Sequence, residues 1–333
     1  MAINLTVFFI TLTFFIFLLL KIHIKYAKYL KLVDNSINFN IKNSNIPTAG
    51  GLCFILSYLI FFLFLLSLKE GFVDFPNRFF ITNTFIFLVV LLSFWDDLKN
   101  IHPGIRLPLQ FLFISFSLPM VAISEIVIPY KLLLIIVIIY WVYILNVINF
   151  IDGVDGFLST YSLFFFLSSL LYSLIVVESF FLKLLSIFFI ILTSVFLLFN
   201  KPKAKIFMGD TGSIFLGYFI GFLSLHIFMS GRYDLFITII SYPLIDCSIT
   251  IMKKILNKKY PWERLFDYYF LKPVIIYNKP HSYVLKPFLV FNILNTFLFL
   301  LQVIYNLYFL CVISILISVI LISYYDKNLE KIK

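Results

Sequence analysis

The segment Asn146–Phe157, with the sequence NVINFIDGVDGF, carries polar side chains at intervals of three residues: Asn146, Asn149, Asp152 and Asp155. The run before it is almost entirely aliphatic and aromatic, and an unpaired polar group buried in such surroundings is costly. Carboxylate and amide oxygens can bind cations and accept hydrogen bonds. Because residues three apart share a face of a helix, the four side chains are expected to form one polar ridge.

Carboxylates recur where apolar runs begin or end. The five aspartates at such boundaries are Asp96, Asp97, Asp152, Asp155 and Asp210. On one membrane face they would repel one another unless cations bound among them, and Mg²⁺ binds through one or two carboxylates plus substrate phosphates. Five basic side chains are alternative partners: Lys99, Arg106, Lys201, Lys203 and Lys205. The other interpretation of any single aspartate is a solvated loop charge.

Two glycine-containing segments precede apolar runs. In KIFMGDTGS, Gly209 and Gly212 flank Asp210, and Thr211 or Ser213 can cap the helix that follows. Backbone amides at a helix N-terminus bind anions, so a metal ion on Asp210 beside them could hold a pyrophosphate. The segment PTAGG, residues 47–51, is a second such turn. Alone, each pattern is weak, because glycine turns at helix starts are often only caps.

His281 is the histidine with the most basic surroundings. It lies in KPHSY, and the same connection contains Lys279, Lys286 and Arg264. A loop with this charge attracts anions, so His281 and Arg264 are candidates for contacting a phosphate-bearing ligand. The three other histidines are better explained as packing, interfacial or solvated residues.

The elements that must position these groups are membrane helices. The chain is 62 % hydrophobic and 13 % charged, against about half apolar and about a quarter charged in soluble domains. Its apolar runs approach the roughly 20 residues that span a bilayer, and they lack the alternation of barrel strands. We count eleven: Leu5–Leu20, Leu52–Leu68, Phe79–Trp95, Leu107–Ile123, Leu132–Phe150, Phe157–Val177, Phe180–Phe199, Ile214–Met229, Leu235–Met252, Phe288–Ile304 and Leu307–Tyr324.

The sequence therefore predicts an all-α, polytopic membrane helical bundle forming a single domain over residues 1–333. The last two runs require a turn near Gln302–Asn306, and without it there would be ten spans rather than eleven. The three cysteines have no paired spacing, so neither a disulfide framework nor a zinc site is expected.

The basic residues predict the orientation of the bundle. With eleven spans, 21 of the 26 lysines and arginines fall on one set of connections, which is therefore predicted to be cytoplasmic. The N-terminus is then outside and the C-terminus inside. This bias also explains the net charge of +10 without nucleic-acid binding. The segments PTAGG, DDLKN, NVINFIDGVDG, KIFMGDTGS and KPHSY all fall on the cytoplasmic set, so we expect them to converge on one site.

Together these motifs resemble the polyprenyl-phosphate N-acetylhexosamine-1-phosphate transferases, bacterial glycosyltransferase family 4. The resemblance covers about residues 47–286. Its most specific parts are Asn-x-x-Asn-x-x-Asp-Gly-x-Asp-Gly at 146–156 and Phe-Met-Gly-Asp-x-Gly-Ser at 207–213, and Asp-Asp followed by a basic residue is matched by Asp96, Asp97 and Arg106. The KPHSY element departs from the histidine-rich cluster of many members. It resembles the branch that initiates O-antigen or teichoic-acid synthesis more than the peptidoglycan lipid I synthase.

The resemblance implies an enzyme that transfers an N-acetylhexosamine-1-phosphate from a UDP-sugar to undecaprenyl phosphate. The products would be UMP and a lipid-pyrophosphate-sugar, the first intermediate of a cell-surface glycan such as the O-antigen of lipopolysaccharide. It also implies Mg²⁺, with Mn²⁺ as an alternative, and a multi-pass location in the bacterial cytoplasmic (inner) membrane. The sequence leaves open which hexosamine is used and whether the protein forms a homodimer.

The resemblance also assigns roles to individual residues. Asp210 and Asn146 would ligate the metal ion, with Asp152 close by as a catalytic carboxylate. Asp96 or Asp97 would orient or deprotonate the carrier phosphate, and Arg106 would offset its charge.

For the nucleotide sugar, the resemblance implies that Asp155 and Phe207 hold the uracil, by hydrogen bonding and by stacking. His281 and Arg264 would contact the diphosphate or the sugar.

Two alternatives stay open at this point. A secondary transporter would need charges near the bilayer midplane, broken helices and repeated halves, and only Asp246 approaches the first of these. The same chemistry in peptidoglycan lipid I synthesis is the second alternative. Release of UMP from a UDP-sugar would separate an enzyme from a transporter.

Overall fold

The predicted apolar runs fold into helices. The computed structural model describes residues 2–30, 32–34, 46–68, 79–99, 101–118, 130–260 and 268–327. Within them it contains α1 (Ala2–Tyr26), α2 (Gly51–Ser67), α3 (Phe79–Lys99), α4 (Pro103–Ser117), α5 (Tyr130–Phe150), α6 (Phe157–Ile175), α7 (Phe180–Asn200), α8 (Gly209–Met229), α9 (Tyr233–Leu256), α10 (Lys272–Ile275), α11 (His281–Tyr305) and α12 (Leu310–Lys327).

Each predicted run overlaps one of the long helices. By length and composition, seven of the described helices can cross a membrane, namely α1, α5, α6, α7, α8, α9 and α11. The helices α2 and α12 are apolar but shorter. The chain is therefore a multi-pass membrane protein of nearly all-helical structure. The number of spans and the orientation of the termini stay predictions.

The predicted hairpin near the C-terminus is present. The helix α11 ends at Tyr305, Asn306 adopts a left-handed conformation with φ of +54°, and α12 begins at Leu310. Asparagine tolerates this conformation at the end of a helix better than most residues do. Its amide N–H donates to the Gln302 carbonyl oxygen, and this bond closes the helix.

One short element departs from the all-α prediction. The strands β1 (Val33–Asp34) and β2 (Ile46–Pro47) form a two-stranded antiparallel pair in which Val33 faces Pro47. At the end of β2, the Pro47 carbonyl oxygen accepts a hydrogen bond from the Phe207 amide. The strand pair therefore leads the PTAGG segment onto the segment that precedes α8.

Helix α8 is the centre of the bundle. Nearly all of its residues are buried, as expected for a helix that is apolar on every side. It runs antiparallel to α5, because Gly217 lies against Leu145 whereas Gly221 lies against Trp141. The two glycines, four residues apart, let the helices approach closely. The Trp141 indole N–H donates to the Tyr218 carbonyl oxygen at 2.9 Å.

The first turns of α2 and α8 touch through glycine. A Cβ atom on Gly51 would lie 2.2 Å from the backbone nitrogen of Gly212 and 2.4 Å from its Cα atom. The amides of Gly50 and Gly51 donate to the carbonyl oxygens of Phe207 and Met208, at 3.0 and 2.9 Å. These glycines therefore fix the start of α8 against α2.

We predict that Gly51→Ala destabilises the protein by about 1–3 kcal/mol, because the added methyl group meets backbone atoms that cannot rotate away. The apparent melting temperature in detergent should fall. Gly104→Ala is the matched control, because this glycine also lies at a helix start but an added Cβ meets only the His102 side chain. Equal melting temperatures for the two variants would show that the α2–α8 contact is not constrained as described.

Candidate active site

Asp97 binds the start of α8. Its carboxylate accepts hydrogen bonds from the backbone amides of Asp210, at 2.9 Å, and Thr211, at 3.0 Å, and from the Thr211 hydroxyl. The first amides of a helix have no partners within it, and an anion satisfies them while interacting favourably with the helix dipole. The amides predicted to face a phosphate therefore bind a carboxylate from α3 instead.

Arg106 joins two carboxylates. Its Nη1 donates to the Asp96 carboxylate and lies 3.4 Å from Oδ2 of Asp210. Asp96 also accepts from the Ile101 amide at 2.6 Å, so it stabilises the connection between α3 and α4. The Asp96 side chain is 5 % exposed and that of Asp210 is 25 % exposed, so Asp210 is the more exposed carboxylate of this pair.

Only two of the four residues of the predicted polar ridge lie in a helix. Asn146 and Asn149 lie in α5, but the helix ends at Phe150, and Asp152 and Asp155 lie in the turn before α6. The prediction that all four share one helical face is therefore wrong. Gly156, with φ of +75°, lies between that turn and α6, where a left-handed residue suits glycine.

The two asparagines contact different helices. The Asn149 carboxamide oxygen accepts from the Ser213 hydroxyl of α8 at 2.8 Å. Asn146 Nδ2 donates to Gln110 Oε1 of α4 at 2.9 Å and to the Val142 carbonyl oxygen at 2.8 Å. Gln110 is fully buried, and the sequence analysis did not identify it. A lone glutamine within the α4 apolar run was the available signal.

Asp152 lies among like charges. Burial, followed by the negative charges of Asp210, Asp97 and Asp155, raises the pKa of its carboxyl group from 3.8 to about 7. With this pKa the Asp152 carboxyl group is only partly ionised at neutral pH, and a nearby cation would favour its ionised form. The cluster therefore has the electrostatics of a cation site.

Asp155 and His281 meet at the other side of this turn. His281 Nδ1 lies 3.0 Å from the Asp155 amide nitrogen and 3.0 Å from its Oδ1. An Nδ1 without a hydrogen accepts from the amide, whereas an Nδ1 that carries one donates to the carboxylate, so the tautomer decides which contact forms. The other carboxylate oxygen of Asp155 accepts from the Ala204 amide at 3.0 Å.

Asn200 links the same turn to the segment before α8, and the sequence analysis missed it. Its Oδ1 accepts from the Gly156 amide at 3.0 Å and the Ser159 hydroxyl at 2.9 Å, while its Nδ2 donates to the Ile206 carbonyl oxygen. The signal that was available is an amide side chain at the end of an apolar helix, directly before a basic segment.

The remaining candidates have different placements. Phe207 is half-buried directly before α8, with its backbone paired to the PTAGG segment. Asp246 accepts from the Tyr242 hydroxyl and the Tyr269 amide, so it anchors the segment after the 261–267 gap. Arg264 lies outside the described residues. Apart from Arg264 and the deeper Asn146, the predicted site residues lie around the start of α8 and the turn before α6.

Comparison with known proteins finds similarity over the part of the chain that contains most of these residues. Residues 79–228, which contain Asp96, the α5 asparagines and Asp210, match the family model described as glycosyl transferase family 4. The matched residues make up just under half of the chain, so this part of the protein is similar to family 4. The branch within family 4 is not resolved by these matches.

Two curated relatives show short local similarity to this chain. The probable undecaprenyl-phosphate N-acetylglucosaminyl 1-phosphate transferase of Bacillus subtilis (strain 168) is 46 % identical over 69 residues, 19 % of each chain. The phospho-N-acetylmuramoyl-pentapeptide-transferase of Leuconostoc mesenteroides subsp. mesenteroides is 91 % identical over 22 residues, 7 % of each chain. The matched stretches thus span less than a fifth of either relative.

The site of this protein fits a divalent cation as a partial ligand set. In the described part of the chain, no group of three or more His, Cys, Asp or Glu side chains forms a complete metal site. The partly exposed Asp210 carboxylate and the charge-crowded Asp152 nevertheless supply hard oxygen ligands of the kind Mg²⁺ prefers. An ion bound here would take its other ligands from water or substrate.

We predict that Asp97→Ala destabilises the protein by about 1–2 kcal/mol, because the start of α8 loses the acceptor for two amides. Asp97→Asn keeps one acceptor oxygen, so its loss of stability should be about half that of Asp97→Ala. Lys99→Ala, an exposed change at the end of the same helix, serves as the control. Thermal unfolding in detergent measures all three. An Asp97→Ala protein as stable as the Lys99→Ala protein would contradict the proposed cap.

Proposed function

We propose that this protein transfers N-acetylhexosamine-1-phosphate from a UDP-sugar to undecaprenyl phosphate, as the initiating step of a cell-surface glycan. An oxygen of the carrier phosphate attacks the β-phosphorus of the UDP-sugar and forms a new phosphoanhydride bond. The bond from the β-phosphorus to the bridging oxygen breaks, and UMP leaves with the electron pair. The lipid product is a pyrophosphate-linked sugar.

The observation that carries this proposal is the charged network at one end of the bundle. Arg106 contacts both Asp96 and Asp210, and Asp97 binds the start of α8, so the two aspartate motifs meet at a single place. Reactions between two phosphate-bearing substrates depend mainly on positioning and on neutralising charge. A site at the ends of membrane helices can also meet one substrate from water and the other from the bilayer.

On the carrier side, Arg106 offsets the phosphate charge while Asp96 and Asp97 orient the groups around it. Both carboxylates accept hydrogen bonds from backbone amides, and these bonds hold the two side chains in a fixed orientation. A phosphate monoester has its second pKa near 6, roughly, so its nucleophilic oxygen needs little deprotonation at neutral pH. We therefore assign orientation rather than general-base catalysis to this pair.

On the donor side, the uracil is held by Asp155 and stacks on Phe207, and the diphosphate or sugar contacts His281 and Arg264. The contact between His281 and Asp155 supports placing these two together. Because Asp155 already accepts from Ala204, its position relative to the segment before α8 is fixed before the nucleotide arrives.

Asp210 and Asp152 are the residues that we propose hold Mg²⁺, with Mn²⁺ as an alternative. When bound, the ion supplies charge neutralisation for the phosphoryl group in the transition state. Asp210 supplies a partly exposed carboxylate beside Arg106. Asp152 supplies a second carboxylate, which lies near the negative charges of other aspartates. Asn146, the other ligand implied by the sequence motif, is considered below.

We place the protein in the bacterial cytoplasmic membrane with the site facing the cytoplasm, on the basis of the lysine and arginine distribution. The KPHSY element favours a branch that starts O-antigen or another surface glycan over lipid I synthesis. The direct test is to incubate purified protein with undecaprenyl phosphate and a panel of UDP-N-acetylhexosamines. The proposal requires UMP and a lipid-pyrophosphate-sugar, and uptake of UDP-sugar into proteoliposomes without UMP would instead support a transporter.

We predict that Asp210→Asn lowers the transfer rate at least a thousandfold, about 4 kcal/mol of transition-state stabilisation, while folding is retained. The substitution keeps the size of the side chain but removes its negative charge. Transfer by the wild-type protein should also stop with EDTA and return with Mg²⁺ or Mn²⁺. The rate of UMP release under saturating substrates measures both effects.

Asp326→Asn is the matched control, because Asp326 is also an aspartate paired with a basic residue, Lys272, and lies outside the proposed site. It should transfer at the wild-type rate. If Asp210→Asn retained near-normal, EDTA-sensitive transfer, the ion would not depend on Asp210. Transfer that is indifferent to EDTA would remove the metal ion from the mechanism.

A further inference from the structure

Asn146 is too deep in the bundle to share a cation with Asp210. In the antiparallel pair α5 and α8, Gly217 lies against Leu145, so Asn146 is level with about residue 216. At a rise of about 1.5 Å per residue, this level is roughly 9 Å along the helix axis from Asp210. Two oxygens bound to one Mg²⁺ lie no more than about 4 Å apart, since each metal–oxygen distance is about 2 Å.

The directions of the two side chains increase this separation. Helical side chains lean towards the N-terminus of their own helix. Asn146 therefore leans away from the end of the bundle where Asp210 lies, and its hydrogen bond to the Val142 carbonyl oxygen, one turn earlier in α5, agrees with that direction. Asp210, in the first turn of α8, leans the opposite way and reaches Arg106.

The contacts of Asn146 point instead to α4. The Val142 carbonyl oxygen can only accept, so the atom of the Asn146 amide that faces it is Nδ2. The second N–H of Nδ2 then points to Gln110, whose facing atom must be the acceptor Oε1. A backbone group thus fixes the orientation of both amides, and the pair joins α4 to α5 inside the bundle.

Gln110 and Arg106 are four residues apart in α4, so their side chains share one face of the helix. Fixing Gln110 against α5 therefore sets the rotation and depth of α4 at the point where Arg106 reaches Asp96 and Asp210. The pair adds little stability of its own, because Gln110 Nε2 and Asn146 Oδ1 are both buried and neither has a hydrogen-bond partner among the described residues.

We infer that Asn146 and Gln110 are positioning residues that set Arg106 against the carrier phosphate, and that Asn146 is not a ligand of the cation. The inference rests on the proposed function for its kinetic consequence. It assigns a role to Gln110, and it separates Asn146 from the metal role that the sequence motif implied.

The first test measures Mn²⁺ binding to purified protein by electron paramagnetic resonance, without turnover. Asn146→Leu and Gln110→Met should bind Mn²⁺ within twofold of wild type and melt no lower than it, whereas Asp210→Asn should bind at least tenfold more weakly. Weaker binding by Asn146→Leu, comparable to that of Asp210→Asn, would overturn the inference, because Asn146 would then be a ligand. Lower melting temperatures for Asn146→Leu and Gln110→Met would assign the pair a merely structural role.

The second test measures transfer kinetics. Asn146→Leu and Gln110→Met should each raise the KM for undecaprenyl phosphate at least tenfold, with the KM for the UDP-sugar nearly unchanged. The double variant should have a KM for undecaprenyl phosphate no higher than that of either single variant. In an Arg106→Gln background, Gln110→Met should raise this KM no further. Additive effects, or an unchanged KM for the carrier, would overturn the inference.

Gln302→Met is the matched control for the kinetic test. Gln302 is also fully buried, its Oε1 accepts from Thr238, and its Nε2 has no partner within the described part of the chain. It lies in α11, away from the proposed site. Its variant should show wild-type KM values. Failure of the proposed function would appear separately, as wild-type protein that releases no UMP, and in that case Mn²⁺ binding and melting alone would decide whether Asn146 is a ligand.

Discussion

The amides at the start of α8 have no acceptors within their own helix, and the Asp97 carboxylate supplies one from α3. This interaction, together with the glycine contact between Gly51 and Gly212, fixes the end of the most buried helix in the bundle. Asp210 then projects beside Arg106, and Ser213, one turn further, reaches the end of α5. The position of the other site residues follows from where α8 begins.

The second constraint is the excess of negative charge at that end. Arg106 offsets the charges of Asp96 and Asp210, whereas Asp152 forms no ion pair with any of the described residues. Burial, and then the negative charges of Asp210, Asp97 and Asp155, raise the pKa of the Asp152 carboxyl group to about 7. An apolar bundle weakens the solvent screening of such a cluster, so a bound cation lowers the free energy of the ionised state. The same need for positive charge suits an enzyme that brings two phosphate groups together.

Most of the helices could be predicted from the sequence, because apolar runs of bilayer length have few alternative structures. The motif residues could also be placed at one end, since the basic bias sorts the connections. Three features could not be predicted from the sequence. The end of α5 at Phe150 depends on the following turn, Asp97 acts as a cap across helices, and the partners of Gln110 and Asn200 come from distant segments. Such contacts depend on tertiary packing, which periodicity does not encode.

The most direct measurement of the central claim follows the β-phosphorus of the donor. Purified protein would be incubated with undecaprenyl phosphate and UDP-N-acetylglucosamine carrying ³²P in the β-position, and lipid and water phases would then be separated. Phosphosugar transfer requires the label in the lipid, as a pyrophosphate, together with unlabelled UMP in water. Label that remains in water as UDP, with sugar alone on the lipid, would contradict the account, as would the absence of any lipid product with each UDP-N-acetylhexosamine tested.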